Sequence, residues 1–161
     1  MTELVVPVGR IRAPLMDYDI FGVVVFLAAA VGSLFLPGIW YDGLIKPWWT
    51  PPDWVFPAAW TPLYLAIAVA GAWAWRETGA GFARIAWVVQ LILNVSWTVV
   101  MFGAHEIAAA LVVICILLIT ILASMLLTSS NGARLLFVPY LAWVSFSATL
   151  NYEIWRLNIG T

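Results

Sequence analysis

Residues Trp40 to Trp60 read WYDGLIKPWWTPPDWVFPAAW and hold five of the chain's eleven tryptophans and four of its nine prolines. Each proline fixes φ and removes a backbone donor, and Pro47, Pro51 and Pro52 hold the residues before them in extended conformations. An uninterrupted helix is therefore ruled out. Each indole adds a large apolar face and one N–H that seeks a partner. The segment predicts a stiff aromatic loop over residues 37–56 that leads into a helix near Pro57, where a missing donor in the first turn is harmless. Two readings stand for it: an aromatic belt at a membrane interface, or the wall of a ligand pocket. The density of proline favours the pocket, because anchoring needs no rigid backbone.

The rest of the chain identifies the medium. Of 161 residues, 65% are hydrophobic and 9% charged, and the mean hydropathy is +1.02. Soluble domains carry roughly a quarter charged residues, so this chain belongs in lipid. Uncharged runs extend over Ile20–Leu36, Val55–Trp75, Ile85–Ala104, Ile107–Leu127 and Leu135–Tyr152. Each is long enough to cross a hydrocarbon core of ~30 Å as a helix. Lipid offers the backbone no hydrogen bonds, and barrel strands would alternate in ~10-residue pieces, which these runs do not. The expectation is an all-α, integral membrane bundle of five transmembrane helices, at about 20–36, 55–75, 85–104, 107–127 and 135–155. Residues 1–17 are read as a tail and 18–161 as a single membrane domain, with Arg76 to Arg84 as a polar turn. Ala28-Ala29-Ala30 after a basic flank resembles a cleavage site, but the apolar run continues past it, which favours a retained helix. Lys and Arg in the short flanks place the N-terminus on the cytoplasmic side and the tryptophan loop across the membrane.

Several function classes drop out. A net charge of −1 with scattered basic residues gives no field for nucleic acid. The single cysteine, Cys115, permits no intramolecular disulfide and reads as a buried, inert thiol. The single histidine, His105, reads as a polar residue at a helix junction. No metal cluster, catalytic triad or phosphate loop can be assembled.

Polar side chains inside membrane helices are costly, so their spacing is informative. Trp87, Gln90, Asn94 and Trp97 recur every three or four residues and share one face of the third helix. Tyr140, Trp143, Ser147 and Asn151 do the same on the fifth, and Trp60 and Tyr64 lie one turn apart on the second. Such faces suit a pocket for a flat, largely apolar molecule, with Trp48, Trp49 and Phe56 as its lid. They equally suit polar glue between helices. Leu150, Tyr152 and Arg156 satisfy a weak sterol-type pattern that also fits an interfacial anchor.

Trp40-Tyr41, Lys46-Pro47-Trp48-Trp49, Pro51-Pro52, Trp54-Val55-Phe56-Pro57, Trp60 and Leu63-Tyr64 resemble the signature of the TspO family, also called the translocator protein or tryptophan-rich sensory protein family. The resemblance covers nearly the whole chain from Ile20 onward. It implies a membrane receptor that binds protoporphyrin, haem and benzodiazepine-type ligands, with a role in porphyrin transport or stress sensing. The ligand residues it implies are Trp48, Phe56, Trp60, Asn94, Trp143, Ser147 and Leu150. To these the helix faces add Tyr64, Gln90, Trp97 and Tyr140. No cofactor is required and porphyrin enters as ligand. The alternatives are a light-dependent porphyrin-degrading enzyme that uses Trp48 and Trp143, and a sterol or lipid transporter or structural membrane partner. A homodimer in a bacterial cell envelope is a further implication of the likeness.

Overall fold

The computed structural model describes residues 15–76 and 81–160, with side chains from Tyr18 onward. Helices α1 (Leu15–Ser33), α3 (Val55–Arg76), α4 (Gly81–Thr98), α5 (Ile107–Leu127) and α6 (Asn131–Leu157) form the bundle, and α2 (Ile39–Asp42) is a single turn inside the tryptophan loop. α4 runs on into a π-helical turn over Val99–Gly103. The α4–π unit, α3, α5 and α6 are long and apolar enough to cross a membrane. With α1, of 19 residues, they make the five expected helices, and the chain is an integral, multi-pass membrane protein.

The helices close a ring in the order α1, α3, α6, α5, α4 and back to α1, and the α1–α4 seam is the sparsest of its five neighbour contacts. Inward faces follow helical spacing. On α5 they are Ala110, Ile114, Leu117, Ile121 and Ser124; on α6 they include Phe137, Tyr140, Val144, Ser147, Asn151 and Ile154. Outward residues such as Phe26, Leu65, Ile92, Ile119 and Leu135 are exposed, as a lipid-facing surface requires. α3 and α4 approach closely at Gly71, where a Cβ would stand 2.5 Å from the Trp87 ring. The Trp87 indole, set against this bare backbone, donates to the Ile67 carbonyl at 2.9 Å.

Four boundaries differ from expectation. α1 starts at Leu15 rather than Ile20 and ends at Ser33 rather than Leu36, so residues 15–17 belong to a helix; the remainder of the expected tail, 1–14, lies outside the described residues. α4 begins at Gly81, before Arg84, because that guanidinium reaches back to the Trp75 carbonyl at 2.7 Å and needs no helix end. Of the expected polar turn, Arg76 and residues 81–84 are helical, and 77–80 lie outside the described residues. α6 starts at Asn131, not Leu135, because Ser130 caps it by accepting from the Ala133 N–H at 3.2 Å. Arg134 then turns back to the Thr128 carbonyl at 2.9 Å. At α4 and α6, then, an arginine near the helix start is absorbed by a nearby carbonyl. Cys115 is exposed on α5, not buried. That helix is apolar all round, so composition gave no indication of which side faces inward.

Candidate functional site

The tryptophan loop is ordered by its own backbone and by one distant anchor. Thr50 donates from both its N–H and its hydroxyl to the Pro47 carbonyl, at 3.0 and 2.7 Å. Asn158, just past α6, accepts from the Ile45 N–H at 3.0 Å and donates to the Ile45 carbonyl at 2.9 Å. On the other flank, Trp40 stacks on His105 with ring centroids 4.2 Å apart. His105 sits at the α4–α5 junction with φ of 62°, in the left-handed region. Phe35 packs where Gly103 has no side chain; a Cβ there would lie 2.6 Å from its ring.

Beneath this cover lies a cavity of about 390 Å³ between the end of α1, the start of α3 and the end of α4. Its walls are Ala29, Gly32, Phe35, Leu36, Tyr41, Phe56, Pro57, Trp60, Tyr64, Trp97 and Phe102, with Ser33, Asp53 and Thr98 as the polar members. A second void of about 20 Å³, lined by Tyr41, Phe56, Trp97, Met101, Phe102, Ser147, Leu150 and Asn151, shares four of those residues. It extends the same apolar space towards α6. Tyr41 is almost wholly buried, and its phenol is pushed up to about 12, by burial first and then by the nearby carboxylates of Asp53 and Asp42.

Behind the cavity runs a chain of hydrogen bonds. Tyr64 donates to Asn94 Oδ1 at 3.1 Å, Asn94 Nδ2 donates to the Tyr140 hydroxyl at 3.1 Å, and Tyr140 donates to Gln90 Oε1 at 2.9 Å. Gln90 Nε2, at the far end, has no partner. A parallel link joins Trp97 Nε1 to Asn151 Oδ1 at 3.0 Å and Asn151 Nδ2 to the Ile107 carbonyl at 3.1 Å. These bonds tie α3, α4, α5 and α6 together.

The expected residues thus separate into groups. Phe56, Trp60, Tyr64 and Trp97 line the large cavity; Ser147 and Leu150 line the small void. Asn94, Gln90 and Tyr140 are fully buried in the bonded chain, with Asn94 coupled to the cavity through Tyr64. Trp143 is half-buried and packs edge-on to Phe56 at 5.9 Å. Trp48 is 95% exposed and lines neither space. Its neighbour Trp49 turns inward instead and meets Phe146 at 5.7 Å. The two tryptophans are the central residues of the turn closed by the Thr50 N–H on the Pro47 carbonyl, and that turn sends their indoles to different sides. Leu150 is buried while Tyr152 and Arg156 face outward, with Arg156 held by Glu153 at 2.7 Å, so the sterol-type trio shares no surface. Spacing of three and four missed Phe102, which follows Trp97 by five residues. The π-helical turn brings it onto the same wall, at 5.7 Å from Trp97. Among the described residues no group of three or more His, Cys, Asp or Glu is placed to hold a metal ion.

The profile of the TspO/MBR family matches residues 20–156. The chain is 41% identical over 150 residues to the tryptophan-rich sensory protein of Cereibacter sphaeroides, covering 89% of this chain and 94% of the relative. It is 37% identical over 152 residues to protein CrtK of Rhodobacter capsulatus, covering 89% and 93%. With the translocator protein of Homo sapiens it shares 40% identity over 146 residues, covering 83% and 85%.

Proposed function

The chain belongs to the TspO/MBR family, whose members support a membrane receptor or sensor role, and from its cavity we propose that it binds a flat, largely apolar ligand of the tetrapyrrole class. The observation that carries this reading is the cavity of about 390 Å³ walled by seven aromatic side chains. Its size falls within the ~300–1,000 Å³ of small-molecule sites, and a planar guest can offer every ring a face or an edge. Bacterial relatives with the same span support residence in a bacterial cell envelope.

Quenching of tryptophan fluorescence by protoporphyrin in detergent micelles tests the reading. Phe56→Ala and Trp60→Ala should each weaken binding roughly three- to tenfold, the effect of losing one aromatic contact of about 1 kcal/mol. Trp48→Ala, on an outward ring, should leave it unchanged. Saturable binding that neither wall substitution weakens would place the ligand elsewhere.

A second reading, light-dependent breakdown of the bound pigment, draws support from Trp143. Its ring touches the cavity wall through Phe56, and its buried indole N–H has no partner. Under this reading illumination bleaches the pigment's absorbance and Trp143→Phe slows the bleaching, while darkness leaves the spectrum intact.

A further inference from the structure

The polar atoms of the large cavity are unevenly disposed. Four hydroxyl-bearing side chains line it, and three have turned their protons inward: Ser33 to the Ala30 carbonyl at 2.7 Å, Tyr64 to Asn94 Oδ1 at 3.1 Å, and Thr98 to the Asn94 carbonyl at 3.5 Å; the fourth is the Tyr41 phenol. The Trp97 indole is likewise spent on Asn151. A hydroxyl whose proton is committed offers a guest only its lone pairs. Asp53, on the rim, adds an exposed carboxylate that accepts no hydrogen bond from a described side chain. Lys46 does not line the cavity; its ammonium donates to the Asp42 and Leu44 carbonyls at 3.1 and 3.3 Å and rests 4.7 Å from the Tyr41 ring centroid. The lining therefore presents three hydroxyls as acceptors, one neutral phenol and one negative charge, with no cation.

We propose that this cavity discriminates by charge, favouring guests that present a neutral or positive group at the rim over guests that present a carboxylate there, and that Asp53 sets the preference. The inference rests on the reading of the cavity as the ligand site. Carboxylate facing carboxylate at a partly desolvated rim is repulsive, and the apolar walls on either side weaken the screening by water. Tyr41 beside it stays a neutral phenol far above physiological pH, so it adds no second charge to the rim. A pigment with acidic side chains would have to orient them away from Asp53, whereas a neutral or cationic periphery carries no such constraint.

The test uses the full chain in a neutral detergent and three probes with one macrocycle: protoporphyrin, its dimethyl ester and its bis(2-aminoethyl)amide, which are respectively anionic, neutral and cationic at pH 7. Each is titrated against the wild type, Asp53→Asn, and Asp42→Asn as a charge control outside the cavity. Comparison within one probe cancels its partition into the micelle. Asp53→Asn should tighten the acid roughly fivefold, weaken the amide by a similar factor and leave the ester within about twofold. High salt should shrink both shifts, and Asp42→Asn should produce neither. If Asp53→Asn moves all three probes together, or none, the charge preference is refuted while binding in the cavity stands. If no probe responds to Phe56→Ala or Trp60→Ala, the cavity is not the site, and the preference falls with it.

Discussion

Tyr140→Phe isolates the energetic role of the buried polar chain. The Tyr140 ring is fully buried between Trp60 and Phe137, and phenylalanine keeps that packing. What disappears is one hydroxyl that donates to Gln90 Oε1 at 2.9 Å and accepts from Asn94 Nδ2 at 3.1 Å. Gln90 Nε2 already lacks a partner, so Gln90 is left with no side-chain bond at all in a site closed to water. Interhelical hydrogen bonds in membrane bundles are worth ~0.6 kcal/mol on average and up to ~1.7, because separated helices also find partners. Two such bonds, lost from groups that cannot rehydrate, give a destabilisation of about 1–3 kcal/mol. Tyr64→Phe removes a single bond, at a wall where water or a guest can replace it, and should cost less than about 1 kcal/mol. Unfolding by a denaturing detergent, followed by far-ultraviolet circular dichroism, provides the scale. Gln90→Leu on top of Tyr140→Phe removes the orphaned amide and should recover part of the loss, since replacing both partners by apolar groups is close to neutral. A stable Tyr140→Phe protein, or a larger loss from Tyr64→Phe, would show that the chain of bonds does not hold these helices together.

Gly71→Ala should cost about 2 kcal/mol or more, because its Cβ would stand 2.5 Å from the Trp87 ring and displacing that ring breaks the indole's bond to Ile67; thermal unfolding in micelles reads it, with Gly22→Ala, which meets nothing within 4 Å, as control. Cys115 should react with an apolar maleimide in the folded protein nearly as fast as in the unfolded one, since its side chain faces outward from α5; protection of the folded thiol would mean that another surface covers that face. Tyr41 ionises at about 12 when folded against an ordinary 10, so its contribution is complete below pH 10 and is lost as pH rises from 10 towards 12. Tyr41→Phe should remove that part of the alkaline loss of stability, and an unchanged alkaline profile would refute the assignment.

The five helices were legible because uncharged runs of about 20 residues leave a chain in lipid few other structures. Their ends were less so, since Arg84 and Arg134 look like boundaries in sequence yet are accommodated inside helices by carbonyls a turn or more away. Of the site, the faces carrying Trp87, Gln90, Asn94 and Trp97 followed from spacing, and all four side chains are buried together. Their commitment to one another did not follow, because period places an amide on a face without naming its partner. Trp48 and Trp49 show the limit most sharply. Composition marks both as part of an aromatic wall, but the direction of each ring depends on the turn they form between Pro47 and Thr50, which their residue type alone does not specify.

The buried bonds stand directly behind the cavity, and Tyr64 and Trp97 belong to both. The buried bonds connect α3, α4, α5 and α6, and the small-residue contact at Gly71 locks α3 to Trp87 of α4. α1 is bonded to α3 through the Tyr18 hydroxyl, which accepts from Trp73 Nε1 at 2.9 Å and from Arg76 at 3.3 Å, but its seam with α4 is the sparsest of the ring, and the cavity opens at the end of that seam. An internal space forfeits the dispersion contacts that its lining atoms would otherwise make. A space beside the sparse α1–α4 seam can be filled without parting the amides of Asn94 and Gln90. The stacked Trp40–His105 pair and the Phe35–Gly103 contact then serve as the closure on that side, fixing the loop to the α4–α5 junction while leaving the seam below it loosely packed.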